Sequence, residues 1–402
     1  MASNAGNYHK TERKCSGGWV GAMQDAMCEA NPQMELGYLF FTPEVLTQKK
    51  EGNVTYMPVQ YHYGKNLLEK LYVRSFRNED KYLDDRLREM VWNIRQFQPD
   101  VIHVWGVELP HAGIVEYIDN IPIVVNIQGF MTQIIKSFLP PCLDDEDIRQ
   151  SDSWLSRNVL NNGHWYYYKM AAWRAKNEAK WAPMVKYWVG RTEWDHATSQ
   201  LLSPCSHYYH CNELLRNSFD SCEWQFHYDG QSIRIMSVIS SEWYKGIDVI
   251  LQTAKLFEDE QIDFQWDVFG VCADDSKLRL FENKLGIQLS EVSVIWHGPV
   301  DGQTLAKALL EADVFVHPSH IENSSNAIAE AQVVGVPVVA LRKGGNETML
   351  REDSGVIVPL NSISALASAI ISLTQKPYAE YISDNAKSLA ALRHNHAIVI
   401  ET

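Results

Sequence analysis

The chain has 402 residues, 46% hydrophobic, 21% charged and 11% aromatic, which is enough apolar material for two ordinary cores and too much for a disordered chain. Lys and Arg number 36 against 50 Asp and Glu, a formal charge of −14, so a nucleic-acid partner is not expected. The apolar runs, such as Ile121 to Ile127 and Val333 to Leu341, are far shorter than the roughly 20 residues that span a bilayer, and the polar start, Met1 to Cys15, has no apolar secretion signal, which makes the cytoplasm the expected compartment.

In chain order, short β-rich apolar runs alternate with amphipathic stretches of helical length. Strands are predicted over Leu36 to Phe41, Val54 to Val59, Val101 to Trp105, Ile123 to Ile127 and Tyr187 to Val189, and helices over Val20 to Glu29, Glu79 to Phe97 and Tyr166 to Trp181. The chain opens without the apolar strand that usually begins such a domain, so a first strand is expected to be missing. Both periodicities fade over Asn212 to Gln231, which marks a boundary.

Beyond it the alternation restarts with strands Ile233 to Val238, Phe264 to Val268, Val292 to Trp296, Val314 to His317, Pro337 to Leu341 and Val356 to Val358. Helices are predicted over Ile247 to Phe257, Gln303 to Glu311 and Ser325 to Val334, with two more from Ser362 and Tyr378. The fold class is therefore α/β, two tandem doubly wound Rossmann-like domains facing an interdomain cleft. Residues 1–211 form the first, 212–376 the second, and 377–402 a C-terminal helix packing back toward the first.

Seven cysteines, scattered and never in a C-x-x-C pair, suit reduced thiols. In Cys205-Ser-His207-Tyr-Tyr-His210-Cys211, alternating residues of a strand would point to opposite faces, which works against a metal site. Asp145-Glu146-Asp147 formally matches a metal-holding Asp-x-Asp pair but sits in a polar run, where a solvated acidic loop is expected.

The segment richest in chemistry is His317-Pro-Ser-His-Ile-Glu322-Asn323-Ser324-Ser325, which leads from an apolar strand into a helix carrying Glu330 and then reaches Gly335-Val-Pro337-Val-Val. A serine N-cap leaves Glu322 on the loop ahead of the helix, and the step from Ser325 to Glu330 rises roughly 7 to 8 Å. Two carboxylates and the free N–H groups of a helix start then suit an elongated ligand bearing hydroxyls and phosphates.

With Glu322, seven intervening residues, Glu330 and Gly335-Val-Pro-Val-Val, the sequence resembles the retaining glycosyltransferases of family 4, also called group 1, which have the GT-B fold. The resemblance extends to Tyr244-Lys245-Gly246-Ile-Asp248, Trp296-His-Gly298-Pro, Lys343-Gly-Gly345-Asn-Glu347 and Gly355-Val-Ile-Val, and more loosely to Ser16-Gly17-Gly18-Trp19, Pro99-Asp-Val-Ile-His103-Val-Trp-Gly106 and Gly190-Arg191-Thr192-Glu193-Trp194-Asp195. The first-domain segments look like a subgroup of bacterial surface-polysaccharide assembly.

The resemblance implies that Glu330 holds the donor ribose and Glu322 the transferred sugar, helped by backbone N–H groups of Asn323, Ser324 and Ser325. It implies that Lys245 meets the diphosphate, where charge grows as the glycosidic bond breaks, with Gly17, Gly18 and Gly298 also on the donor side. Two departures stand out. Ser240 occupies the place of a frequent second diphosphate cation, leaving Arg191 and Lys343 as candidate substitutes, and Gln128 occupies the place of a frequent histidine. A glutamine does not titrate near neutral pH, so no protein base is expected there, while His103 and Glu108 are candidates for the acceptor side. The expected partners are a nucleotide sugar and a glycan or lipid-linked acceptor, with no cofactor and no metal. The aromatic and cationic segment His164 to Trp181 suits peripheral contact with an anionic membrane face. The departures keep two alternatives in view, a sugar-nucleotide-binding subunit without catalysis and a GT-B sugar-nucleotide epimerase.

Overall fold

The computed structural model describes Tyr8 and residues 18–42, 44–60, 79–107, 109–160, 162–219 and 221–401. The first half carries β1 (Leu36–Thr42), β2 (Lys49–Glu51), β3 (Val54–Gln60), β4 (Ile102–Trp105), β5 (Ile123–Asn126), β6 (Tyr187–Gly190) and β7 (His207–His210). Instead of one parallel sheet these form two, a three-stranded sheet in the order β1-β3-β2 and a four-stranded parallel sheet in the order β4-β5-β6-β7. β2 pairs antiparallel with β3, and its Lys-Lys-Glu sequence has no apolar period to reveal it. Helix Glu79–Phe97 packs against β3 and shares one apolar cluster with β3 and β4, and helix His164–Trp181 packs on the short helix Met131–Ile134.

The second half carries β8 (Ile233–Val238), β9 (Phe264–Phe269), β10 (Val294–Gly298), β11 (Val314–His317), β12 (Val338–Leu341) and β13 (Val356–Val358). They build one parallel six-stranded sheet in the order β10-β9-β8-β11-β12-β13. β11 and β12 are buried along their whole length, which explains their unbroken apolar runs. The strand order reverses between β8 and β11. The loops leaving these two strands therefore diverge to opposite faces of the sheet and open a crevice between them.

The two halves meet along a broad face. Helix His164–Trp181 buries Ala171, Ala175, Glu178 and Trp181 on one stripe, and Met131, Ile134, Phe138, Ala171 and Ala175 join the same apolar cluster as the second sheet's core. Phe138 lies 5.6 Å from Tyr168 and 5.8 Å from Tyr244, ring centre to ring centre. The acidic run is not a solvated loop: Asp145–Ser151 is a helix, and Asp144 and Asp147 form a reciprocal capping box at its start. Carboxylates there meet free N–H groups and the positive end of the helix dipole, and Asp147 also ion-pairs with Lys284 of the second half. Near the C-terminus, helix Lys376–Arg393 packs on Asn326–Val334, and helix His396–Glu401 sets Val399 beside Met23 and Ala26 of the first helix, Gly18–Ala30. No helix among the described residues is long and apolar enough to cross a membrane.

Candidate functional site

The loops after β8 and β11 carry Lys245 and Glu322, and the two side chains form an ion pair at the crevice. Their approach depends on local backbone. Gly246 has φ +86°, and a Cβ there would stand 2.1 Å from the Pro318 carbonyl oxygen, so only glycine lets the Lys245 loop lie against the Glu322 loop. Gly344, at φ +66°, brings a third loop against the Glu322 carbonyl, where a Cβ would stand 1.9 Å away. His320 Nε2 sits 2.9 and 3.0 Å from the two carboxylate oxygens of the buried Asp248, which pins the Glu322 loop to the first turn of helix Ile247–Asp259.

Burial opposes charge on both partners of the pair, and the attraction between them overrides it. Glu322 is held well below the usual carboxylate range by Lys245, assisted by the buried His317, and Lys245 is held above its ordinary value by Glu322. Burial pushes the imidazole of His317 toward its neutral form; its Nε2 lies 3.6 Å from Glu322 Oε2.

Opposite this pair, across a cleft of 390 Å³, stand Gln128, Met131, Met170, Arg174 and Trp194 of the first half. Ser324, Ser325 and Asn326 line the same cleft, with Ser325 capping helix Asn326–Val334 through its Oγ. Gln128 is held in one orientation: its Nε2 donates to Asn126 Oδ1 and to Glu213 Oε1, 2.8 Å each. Both amide hydrogens are thereby committed to these two oxygens, and the carbonyl oxygen remains for the cleft. Glu213 is itself buried and ion-paired with Arg191.

The other expected residues lie elsewhere. Glu330 does not line this cleft; it is buried on the second turn of its helix, where Arg216 Nε and Nη2 both meet its Oε1 at 2.8 Å. Burial raises its pKa and Arg216 pulls it partly back. Asn323 lines the cleft, but its buried side chain ties the halves together, meeting Thr192 Oγ1 at 2.7 Å and Asp195 Oδ2 at 3.0 Å. Ser240 is exposed and outside the cleft lining. Gly298 ends β10 at φ +72° beside Cys272, also away from the cleft. His103 lies on β4 stacked 4.2 Å from Trp105, where burial pushes its pKa down to about 3; it does not reach the cleft. Gly18 is the first residue of its helix, and Gly17 and Glu108 lie outside the described residues. Of the two candidate substitutes for the second cation, Arg191 is 1% exposed and committed to Glu213 and the Ile127 carbonyl, and Lys343 is exposed beyond the cleft. His207 to His210 forms the strand β7, in which His207 and His210 point to opposite faces.

Three cleft or near-cleft residues carry no signal in the sequence. Arg174 sits in a segment whose texture points to a membrane face, and Glu213 and Arg216 sit in the stretch where both periodicities fade. No local spacing marks the last two, because their partners lie 85 and 114 residues away along the chain for Glu213 and Arg216.

Comparison with known proteins places these features. The family model described as glycosyl transferases group 1 matches residues 232–376, the segment that carries Lys245, Glu322 and Glu330. Residues 232–376 are a group 1 glycosyl transferase domain. A D-inositol 3-phosphate glycosyltransferase of Xylanimonas cellulosilytica is 34% identical over 116 residues, covering 28% of this chain and 27% of the relative, so the matched stretch spans about a quarter of that protein. Sucrose-phosphate synthase from Thermosynechococcus elongatus superposes with a TM-score of 0.68 at 16% identity, covering 96% of this chain and 92% of the other. A second solved structure, trehalose-6-phosphate from E. coli bound with UDP-2-fluoro glucose, gives 0.63 at 11% identity, covering 97% and 96%. The fold of the chain is GT-B, and the group 1 domain supplies the Lys245 and Glu322 wall of the cleft.

Proposed function

We propose that the chain is a retaining, metal-independent glycosyltransferase that moves a sugar from a nucleoside-diphosphate-sugar to a hydroxyl of a glycan or lipid-linked glycan. The observation that carries this reading is the Lys245–Glu322 pair at the strand-order reversal of the group 1 domain, faced across the cleft by an oriented Gln128. In this reading Lys245 binds the diphosphate and stabilises the charge that develops as the donor C–O bond breaks. Glu322 accepts from hydroxyls of the transferred sugar. The carbonyl of Gln128 accepts from a sugar or acceptor hydroxyl and, being a neutral amide, takes no proton. The acceptor oxygen forms the new C–O bond on the face the phosphate leaves, and its proton passes to the departing phosphate oxygen. Arg174, with no ion-pair partner among the described residues, supplies from the first half the second cation that Ser240 does not. Two cations on the diphosphate perform the electrostatic task that a divalent ion performs elsewhere.

The donor reading is supported by the UDP-2-fluoro glucose bound in the E. coli structural neighbour. Exposed Trp154, Leu155 and Tyr167, the last on the cleft rim, support peripheral contact with the cytoplasmic membrane face and an acceptor drawn from a lipid-linked glycan in bacterial polysaccharide assembly. The test is a thermal-shift screen of UDP, GDP, ADP and dTDP and their sugar conjugates in EDTA, followed by measurement of nucleoside diphosphate release with glycan acceptors. A ligand at 100 times its Kd adds about 2.7 kcal/mol to stability. Binding with acceptor-dependent release is the expected result. Binding without release returns the chain to a sugar-nucleotide-binding subunit, and no binding by the folded protein refutes the donor site.

A further inference from the structure

Arg216 comes from the stretch joining the two halves, yet it reaches the one carboxylate in the second domain's helix Asn326–Val334. Its Nε and Nη2 both converge on Glu330 Oε1, at 2.8 Å each, rather than taking one oxygen apiece as in a side-on arginine–carboxylate pair. Glu330 Oε2 makes no hydrogen bond among the described residues and is not among the sealed, unpartnered atoms. The arginine is itself held in place. Its guanidinium lies 5.2 Å from the centre of the Phe219 ring, and Gly302, at the start of helix Gly302–Glu311, leaves it room, since a Cβ there would stand 3.3 Å from Nη1.

We propose that Arg216 is a positioning residue that anchors Glu330 by one oxygen and presents the other, Oε2, as a single oriented acceptor for one ribose hydroxyl of the bound nucleotide. This rests on the nucleoside-diphosphate reading of the site given above. A carboxylate free to rotate would accept from either hydroxyl of the vicinal diol, or from both at once. With Oε1 taken by the guanidinium, only Oε2, held in a fixed plane, remains to accept from the ribose, so the site distinguishes a nucleotide that carries the hydroxyl from one that lacks it. The linker thereby becomes part of the donor site, a role that neither the helix nor the strand pattern announces.

The experiment is isothermal titration of UDP, GDP and their 2′-deoxy and 3′-deoxy counterparts into the wild-type chain, Arg216→Gln and Arg216→Lys. Wild type is expected to prefer the ribonucleotide about tenfold over one of the two deoxy forms, the worth of a hydrogen bond to a charged group. Arg216→Gln should reduce that ratio to about twofold or less, and Arg216→Lys, which keeps a cation on the buried carboxylate, should retain most of it. A Gln variant that binds ribo and deoxy forms more weakly by the same factor, leaving the ratio intact, would assign Arg216 a merely structural part and overturn the proposal. So would tighter binding by the variant, which would make Arg216 a competitor of the ribose, or unchanged binding throughout. Should Arg216→Gln fail to fold, the ratio in Arg216→Lys and in Phe219→Leu, which loosens the guanidinium, decides the matter: a wild-type ratio in both overturns it. Absence of any nucleotide binding by wild type would instead strike the donor-site reading itself.

Discussion

Replacing Glu178 by glutamine should change how stability depends on pH, by an amount the structure sets. Glu178 is 1% exposed and accepts the backbone N–H groups of Met131 and Thr132 at 2.8 and 2.9 Å and the Thr132 hydroxyl at 2.6 Å. It thus fastens the short helix Met131–Ile134, whose first and last residues line the cleft. Burial raises its pKa from 4.5 to about 7, and the three donors offset only part of that rise. Because the folded state binds the proton more tightly than the unfolded chain, protonation favours the fold, and stability from this group falls as pH climbs from 4.5 to about 7. At 1.36 kcal/mol per pH unit, the loss across that window is about 3 kcal/mol. Urea unfolding of wild type and Glu178→Gln at intervals between pH 4.5 and 8 measures it, because subtracting the two curves cancels every other titrating group. The wild-type stability relative to the variant should decline by about 3 kcal/mol and then level off above pH 7. A difference curve that is flat, or that rises with pH, would refute the argument, since either would mean that the folded protein does not hold the proton on Glu178.

Two further outcomes follow from the cleft. Lys245→Gln leaves the Glu322 carboxylate without its counter-charge in a largely buried setting, so stability should drop by about 3 kcal/mol and the double substitution with Glu322→Gln should recover most of it, measured by denaturant unfolding. Arg174→Gln should weaken nucleoside diphosphate binding by about tenfold, with a smaller effect on the monophosphate and none on the thermal midpoint of the free protein; equal losses for both nucleotides would remove Arg174 from the diphosphate.

Much of this protein is determined locally. The strands Ile233–Val238, Val314–His317 and Val356–Val358 and the helix Glu79–Phe97 coincide with their apolar periods, because a buried strand must be apolar on both faces and a covering helix on one. Lys245 and Glu322 are legible as charged residues at loop positions after strands; the reversal of strand order opens the crevice between those loops, and the close backbone approach at Gly246 brings the two side chains together across it. Sequence also indicates the peculiarity at Gln128, though not its consequence. The remainder depends on contacts made across the chain. Arg191 is a reasonable cation for the cleft until folding buries it against Glu213, and His103 a reasonable acceptor-side group until β4 sets it against Trp105. Arg174 enters the cleft only because one stripe of its helix is fixed by Ala171, Ala175 and Glu178. The single-oxygen anchoring of Glu330 joins residues 114 positions apart. Periodicity reports which face of an element is dry, since that depends on neighbours a few residues away. Which charge finally meets which depends on how separately folded faces are brought together, and only the tertiary structure decides that.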